Sequence, residues 1–407
     1  MKECVLRRLS EAMTAATVAA AVLLIIGVNA RAAWAHARPA APPLTHPGLL
    51  HTQADFQRMR TKVAAGEQPW LAGWERLLAN RHAALDWQPH PKKIVYRGAD
   101  GKHSQNYPSL YNDAAAAYAL AVRWQVSGDD AYADHAIAVL NAWASTLTAI
   151  KGSSDRYLAS GIYGYQLANA AEILRSYPGW PAAEFDRFRT MMLEVFYPMN
   201  HDFLVRHNDA HIDHYWANWD LANMASMLAV GVLADRRDIY DEAVEYFRHG
   251  AGNGSIEHLV WKIHDGGLGQ LQESGRDQGH ATLCIGLAGA FCQMAWNQGD
   301  DLFGYDDNRL LKGAEYVARY NLGHDVPYAP YANSDVTQAT ISSHGRGNVR
   351  PIWELMYNHY VVRQGLPAPH VAELAKQLRP EGGGGDYGPN SGGYDQLGYG
   401  TLVFTLR

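Results

Sequence analysis

The run Asn112-Asp-Ala-Ala-Ala-Ala-Tyr-Ala-Leu-Ala-Val-Arg-Trp-Gln-Val-Ser127, then Gly128-Asp129, then Asp130-Ala-Tyr-Ala-Asp-His-Ala-Ile-Ala-Val-Leu-Asn-Ala-Trp143 decides the fold. Both halves are rich in alanine, the best helix former, and carry larger apolar residues at helical spacing. Gly128 supplies a stop, and the acidic pair after it supplies a cap for the next start. The stretch reads as a helical hairpin. Working outward, the same pattern recurs over 163–175, 182–203, 211–234, 239–249, 276–298, 307–320, 351–363 and 369–378. Tyr177-Pro178-Gly179 and Asn297-Gln298-Gly299-Asp300 punctuate it. Alternating strand patterns are nearly absent until the Gly382–Gly385 run and the closing segment 401–406. About ten helices with short connectors and no heptads predict an all-α fold, with helix pairs layered into an incomplete α/α toroid and a short Gly-rich tail of β character. An irregular helical bundle is the alternative. The toroid is preferred because its concave face accounts for so many aromatics on helices otherwise built of small residues.

The 407 residues are 47% apolar and 19% charged, enough for a sizeable core in a large domain. A formal net charge of −6 argues against a duplex nucleic-acid binder. Twelve Trp and 23 Tyr are the planar, half-polar side chains of a sugar cleft. Lys2, Arg7 and Arg8 precede an apolar run over 12–28, and Ala30-Arg31-Ala32 and Ala33-Trp34-Ala35 offer cleavage sites. Residues 1–35 therefore read as a secretory signal, 36–50 as a linker and 51–407 as a single domain. The run is shorter than the ~20 residues of a membrane span. A periplasmic or secreted protein, free of the membrane after cleavage, is expected. Its net charge would be about −8, since residues 1–35 carry four basic and two acidic side chains. Cys284 and Cys292, eight apart in one expected helix, lie too far apart to pair.

Three constellations carry chemistry. In the stretch from His207 to Asp220, a helix capped by Asn208 or Asp209 would align His211, His214, Tyr215 and Asn218 on one polar face, with Trp216 beside them, opening onto the cleft. Core His and Asn satisfied by backbone is one alternative. A metal site on His207 and His211 is another, although the Glu of a zinc-protease helix is missing. The second is the polar, Gly-rich run Asp265-Gly-Gly-Leu-Gly-Gln-Leu-Gln-Glu-Ser-Gly-Arg-Asp-Gln-Gly-His280, in which Arg276 and His280 stand one turn apart at a helix start. Such an Arg suits a carboxylate ligand, with Gln272 and Glu273 just upstream. The alternative is a turn in which Arg276 pairs with Glu273 or Asp277. Third, Tyr163, Gln166 and Asn169 recur every three residues and, with Trp124 and Trp143, suggest a sugar-binding wall. Ordinary helix packing is the competing reading.

Four stretches resemble the alginate lyase superfamily: 113–143, Gly161-Ile-Tyr-Gly-Tyr-Gln-Leu-Ala-Asn169, His214-Tyr-Trp-Ala-Asn-Trp219 and Gln272–His280. More narrowly, they are similar to polysaccharide lyase family thirty-eight, which acts on alginate or glucuronan. The resemblance implies an α/α toroid, no obligate metal or other cofactor, an anionic polysaccharide as partner and no nucleic acid. Its reaction would be β-elimination at a 4-linked uronic acid. Neutral or positive donors must take up the C6 carboxylate charge before the C5 proton can leave, and a base and an acid then serve C5 and the leaving oxygen. Asn218 and Arg276 are expected as neutralisers, His214 or His280 as base, and Tyr215 as acid. Better-known members carry Asn-Asn-His before the Tyr-Trp pair, where this chain has His211-Ile-Asp-His214. Tyr163, Gln166, Asn169, His211, Trp216, Gln272 and Glu273 are expected to bind substrate. An inverting hydrolase, offering Glu273, Asp213 and Asp265 as carboxylates, and a non-catalytic sugar binder are the other classes.

Overall fold

The Ala-rich hairpin forms as its sequence dictates in the computed structural model, which describes residues 42–348, 350–385 and 394–407. The expected signal segment, and the linker up to residue 41, lie outside the described residues. Helix α3 (Pro108–Ser127) ends on Gly128 at φ 73°, a left-handed position that costs glycine nothing, and Asp129 caps α4 (Asp130–Ala144) by accepting from the Ala131 amide. Alanine lets α3 bury nearly its whole circumference. The fully buried Asp113 then ties the pair together, accepting from Trp143 Nε1 at 2.7 Å, Trp87 Nε1 at 3.0 Å and the His90 amide at 2.6 Å.

Three further helices are buried almost all round: α5 (Arg156–Leu174), α8 (Ala217–Leu233) and α10 (Gln278–Asn297). Together with α3 they pack in sequence as an inner layer, α3 on α5, α5 on α8 and α8 on α10. Close approach explains the small residues. A Cβ at Gly161 of α5 would stand 2.7 Å from the Ala222 backbone of α8. The outer layer is amphipathic, as in α9 (Arg237–His249), which buries Ile239, Tyr240, Ala243, Val244 and Phe247 against α8 and exposes its charges. Helices α4, α6 (Ala182–Met191), α7 (Tyr197–Arg206), α11 (Tyr305–Asn321) and α13 (Pro369–Leu378) complete that layer.

The circuit closes through the two ends of the unit Leu44–Arg407. Helices α1 (Gln53–Ala64) and α2 (Trp70–Leu78), absent from the sequence reading, meet α14 (Gly400–Val403), which also touches α12 (Trp353–Tyr357). The Thr405 carbonyl accepts from both Arg58 Nε and Trp70 Nε1. The closing segment is thus helical, where a strand was expected. Residues 44–50 were expected in a linker and instead pack on the domain. Leu49 and Leu50 are buried, and His46 bonds to Glu172 and Asp235. The helix expected over 182–203 is interrupted by a π-turn at Met192–Phe196 before α7, and that over 351–363 passes from α12 into another at Asn358–Arg363.

Short strands form three separate pairs: the parallel β1 (Ile94–Tyr96) and β2 (Ala149–Lys151), and the hairpins β3 (Lys262–Ile263) with β4 (Gly269–Gln270) and β5 (Tyr331–Ala332) with β6 (Thr337–Gln338). Among the described residues no helix is long and apolar enough to cross a membrane. Cys284 and Cys292 are free and buried, as their spacing required.

Candidate active site

The helix expected over 211–234 starts only at Ala217. Residues 207–209 take left-handed φ values, and the carbonyls a helix would use next are claimed from afar. Asn253 Nδ2 donates to the Asp213 and Tyr215 carbonyls at 2.9 and 2.8 Å, and Asn333 Nδ2 donates to Asp213 as well. The late start leaves the first amides of α8 without a local cap. Gln272 and Glu273 supply one: their Oε1 atoms accept from the Ala217 amide at 3.2 Å and the Asn218 amide at 2.9 Å.

Glu273 is the centre of the site. It is fully buried and its Oε1 also accepts from Asn218 Nδ2 at 2.7 Å and Cys284 Sγ at 3.1 Å, while Oε2 takes Arg276 Nη1 at 2.8 Å. Burial alone would push its carboxyl up, but Arg276, His280 and the Asn218 bonds outweigh it and hold the group below the ordinary carboxylate value. Asn218 is therefore 1% exposed and bound, and does not open onto solvent as the helix-face argument required. The turn pairing weighed for Arg276 is present, yet the guanidinium remains partly open, 4.7 Å from the Trp216 ring. Arg276 precedes α10 and its cap, Asp277, which accepts from the His280 amide at 2.8 Å and from His280 Nδ1 at 2.6 Å. That bond places the proton on Nδ1 and leaves the Nε2 lone pair for other work. Among the described residues Nε2 has no partner, and the ring is 22% exposed.

Hairpin β5–β6 covers this segment. The Tyr331 hydroxyl stands 3.4 Å from Gln272 Nε2 and from Asn253 Oδ1, with its ring on Trp261. Burial raises its pKa, so it is protonated at neutral pH. Only glycine fits at 275, where a Cβ would run into Gln338 of β6. His214 reaches the same hairpin through a 2.8 Å contact between Nδ1 and Asp335 Oδ2, on the exposed rim.

The remaining expected residues separate from this centre. Tyr215 packs on Phe203 and Trp219 and its hydroxyl accepts from Asn208 Nδ2 at 2.9 Å, so it is committed to the fold. His211 is exposed on the loop. Asn169 is structural, accepting from the Leu50 amide and donating to the Tyr165 carbonyl, and Gln166 Nε2 holds the Tyr394 carbonyl at 2.5 Å. Trp143 is buried on Asp113 and Trp124 bonds to Asp130, so neither lines a sugar wall. Tyr163 is buried under Arg97, whose Nη1 donates to its hydroxyl at 3.1 Å. Asp395 pairs with Arg350 Nη1 at 3.0 Å and feels the charges of both regions. Burial pushes its carboxyl up, while Arg350, Arg97 and His280 all pull it down. The metal pair imagined on His207 and His211 does not form, since His207 binds Asp220 and Tyr246. Among the described residues no group of three or more His, Cys, Asp or Glu is placed to hold a metal ion.

The alginate lyase family model matches residues 74–326. The chain belongs to the alginate lyase family. It is a polysaccharide lyase on an α/α toroid. No curated protein matches it. Among solved structures it is similar to an alginate lyase from Bacteroides ovatus, at 13% identity and a TM-score of 0.62 over 89% of this chain and 100% of that one. Alginate lyase A1-III from Sphingomonas species A1 is similar at 14% identity and a TM-score of 0.56 over the same shares. A variant of A1-III complexed with a tetrasaccharide gives 13% identity and 0.57, over 89% and 98%. The family match spans β1, α3–α5, α8 and the 272–280 segment, and thus every group bound to Glu273, but stops short of Tyr331.

Proposed function

We propose that this lyase cleaves a 4-linked uronic-acid polysaccharide, alginate or glucuronan, by β-elimination. The observation that carries the reading is the convergence of Asn218, Arg276 and His280 on one buried carboxylate, with Tyr331 above it. Arg276, seated on Trp216 and partly open, takes the C6 carboxylate of the sugar and stabilises the charge that develops when C5 loses its proton, while the buried Asn218 holds the Glu273 carboxylate on which Arg276 is anchored. His280 Nε2 takes that proton, with Asp277 holding the ring as Asp holds His in hydrolytic triads. The C4–O bond breaks as C4=C5 forms, and the protonated Tyr331 gives its proton to the leaving oxygen. His214 and Tyr215, candidates from sequence, are not needed in this scheme.

A hydrolase would need two carboxylates about 6.5–9.5 Å apart across the cleft. Glu273 is buried and bonded on both oxygens, and Asp213 is committed to Ser334. The N-terminal segment, with its basic start and apolar run, supports export to the periplasm or beyond. The decisive assay offers the purified protein polymannuronate, polyguluronate, glucuronan and hyaluronan and reads the ultraviolet absorbance of the C4–C5 double bond. Reducing ends without that absorbance would overturn the reading in favour of hydrolysis.

A further inference from the structure

Arg97 is held with unusual care for a residue outside the reacting centre. Its amide donates to the Lys151 carbonyl at 3.0 Å, extending the β1–β2 ribbon. Gly98 follows at φ 80°, and Gly152 lies opposite at φ 124°, where a Cβ would collide with the Arg97 carbonyl. The guanidinium is 5.0 Å from the Tyr107 ring and 5.6 Å from the Tyr163 ring, which stack within 12° of parallel. Nη1 uses one of five N–H donors on the Tyr163 hydroxyl. Among the described residues no carboxylate comes within 4.0 Å of it, and Asp155 and Asp395 act on it only from further away. Half-buried and without a close carboxylate, the guanidinium keeps N–H donors for an anionic partner. Lys92, Lys93 and Lys151 stand exposed on the same ribbon and add to the positive field.

We propose that Arg97 is a second carboxylate receptor, binding a uronate of the chain other than the one being cleaved, with a sugar face resting on the half-exposed Tyr107 or Tyr111. The inference rests on the lyase reading, because a polyuronate chain carries the further carboxylate that Arg97 would meet while Arg276 holds the one at the reacting sugar. A guanidinium fork on a carboxylate gives charge-assisted bonds, so its loss costs about 10- to 100-fold in affinity. It follows that long chains bind more tightly than short ones through Arg97.

Calorimetry in a His280→Ala background, with and without Arg97→Gln, tests this with a mannuronate disaccharide, a hexasaccharide and the carboxyl-reduced hexasaccharide. Arg97→Gln should weaken the hexasaccharide about 10- to 100-fold, leave the disaccharide unchanged and shrink discrimination against the reduced ligand by the same factor, the remainder belonging to Arg276. Equal dissociation constants for the hexasaccharide in both proteins would overturn the proposal, as would equal losses for the disaccharide and hexasaccharide. If Arg97→Gln melts well below its parent, Arg97→Lys replaces it. Keeping charge without the fork, it should lie between the two, and wild-type affinity there would likewise overturn the proposal. The lyase reading is judged separately, by whether the unmutated protein forms unsaturated product.

Discussion

Asn218→Ala should destabilise the protein at neutral pH, and by an amount that depends on pH. The Asn218 side chain gives one of four donors to the fully buried Glu273 carboxylate, the others being its own amide, Cys284 and Arg276. A hydrogen bond to a charged group contributes about 1.5–3 kcal/mol, and alanine's better helix propensity returns roughly 0.6 kcal/mol, so the net loss is about 1–2.5 kcal/mol. Glu273 titrates lower in the folded protein than its ordinary 4.5. Stability owed to its ionised form is present in full above pH 4.5 and disappears as pH falls through the depressed folded value. Urea unfolding of wild type and variant at pH 7.5, and at a series of values below 4.5, should show the difference shrinking in acid. A difference under 0.5 kcal/mol at pH 7.5 would refute the buried-partner account and restore the solvent-facing Asn218 of the sequence reading.

Other outcomes follow from the same geometry. Tyr331→Phe removes only a hydroxyl, so it should lower kcat by about 10²–10⁴-fold if that group protonates the leaving oxygen, with thermal unfolding nearly unchanged; a rate within threefold of wild type would remove it from the mechanism. Asp277→Asn should cost turnover through His280, and a pH–rate profile whose acidic limb, set by the base, does not move would argue that Asp277 only caps α10. Glu381 is buried beside Glu354 and its carboxyl is pushed up to about 8, by desolvation first and then by that neighbour. The unfolded chain ionises it from about 4.5, so folding loses stability between pH 4.5 and 8, and Glu381→Gln should gain about 1–3 kcal/mol at pH 7.5 and nothing at pH 4; equal melting points at pH 7.5 would contradict this. Gly161→Val should disrupt the α5–α8 contact and lower the melting temperature by several degrees or more, as read by calorimetry.

The inner helices were legible because alanine runs without a polar stripe have one stable destination, burial on all sides, as α3, α5, α8 and α10 show. Arg276, His280 and Asn218 were also legible as a set, since two short polar segments stood out from apolar helices. The role of Gln272 and Glu273 was not, because capping α8 depends on a partner 55 residues away. The helix over 211–216 failed for the same reason, its carbonyls being taken by Asn253 and Asn333. Tyr331 left no trace at all. It sits on a two-residue strand in a polar run with no periodicity, and only the folded hairpin brings it over the 272–280 segment.

The tail that closes the circuit has a consequence for biosynthesis. Thr405 holds α1 and α2, Asp395 pairs with Arg350, and Tyr394 is held by α5. A growing chain can pair α3 with α4, α5 with α8 and α1 with α3 as they emerge, yet α2 gains its main packing partner only when the last few residues are made. Partially synthesised chains should therefore be compact but inactive, and vulnerable to proteolysis at both ends of the circuit. The same dependence means that removing the residues around Thr405 acts on α1 and α2, which it holds across 347 and 335 positions of sequence.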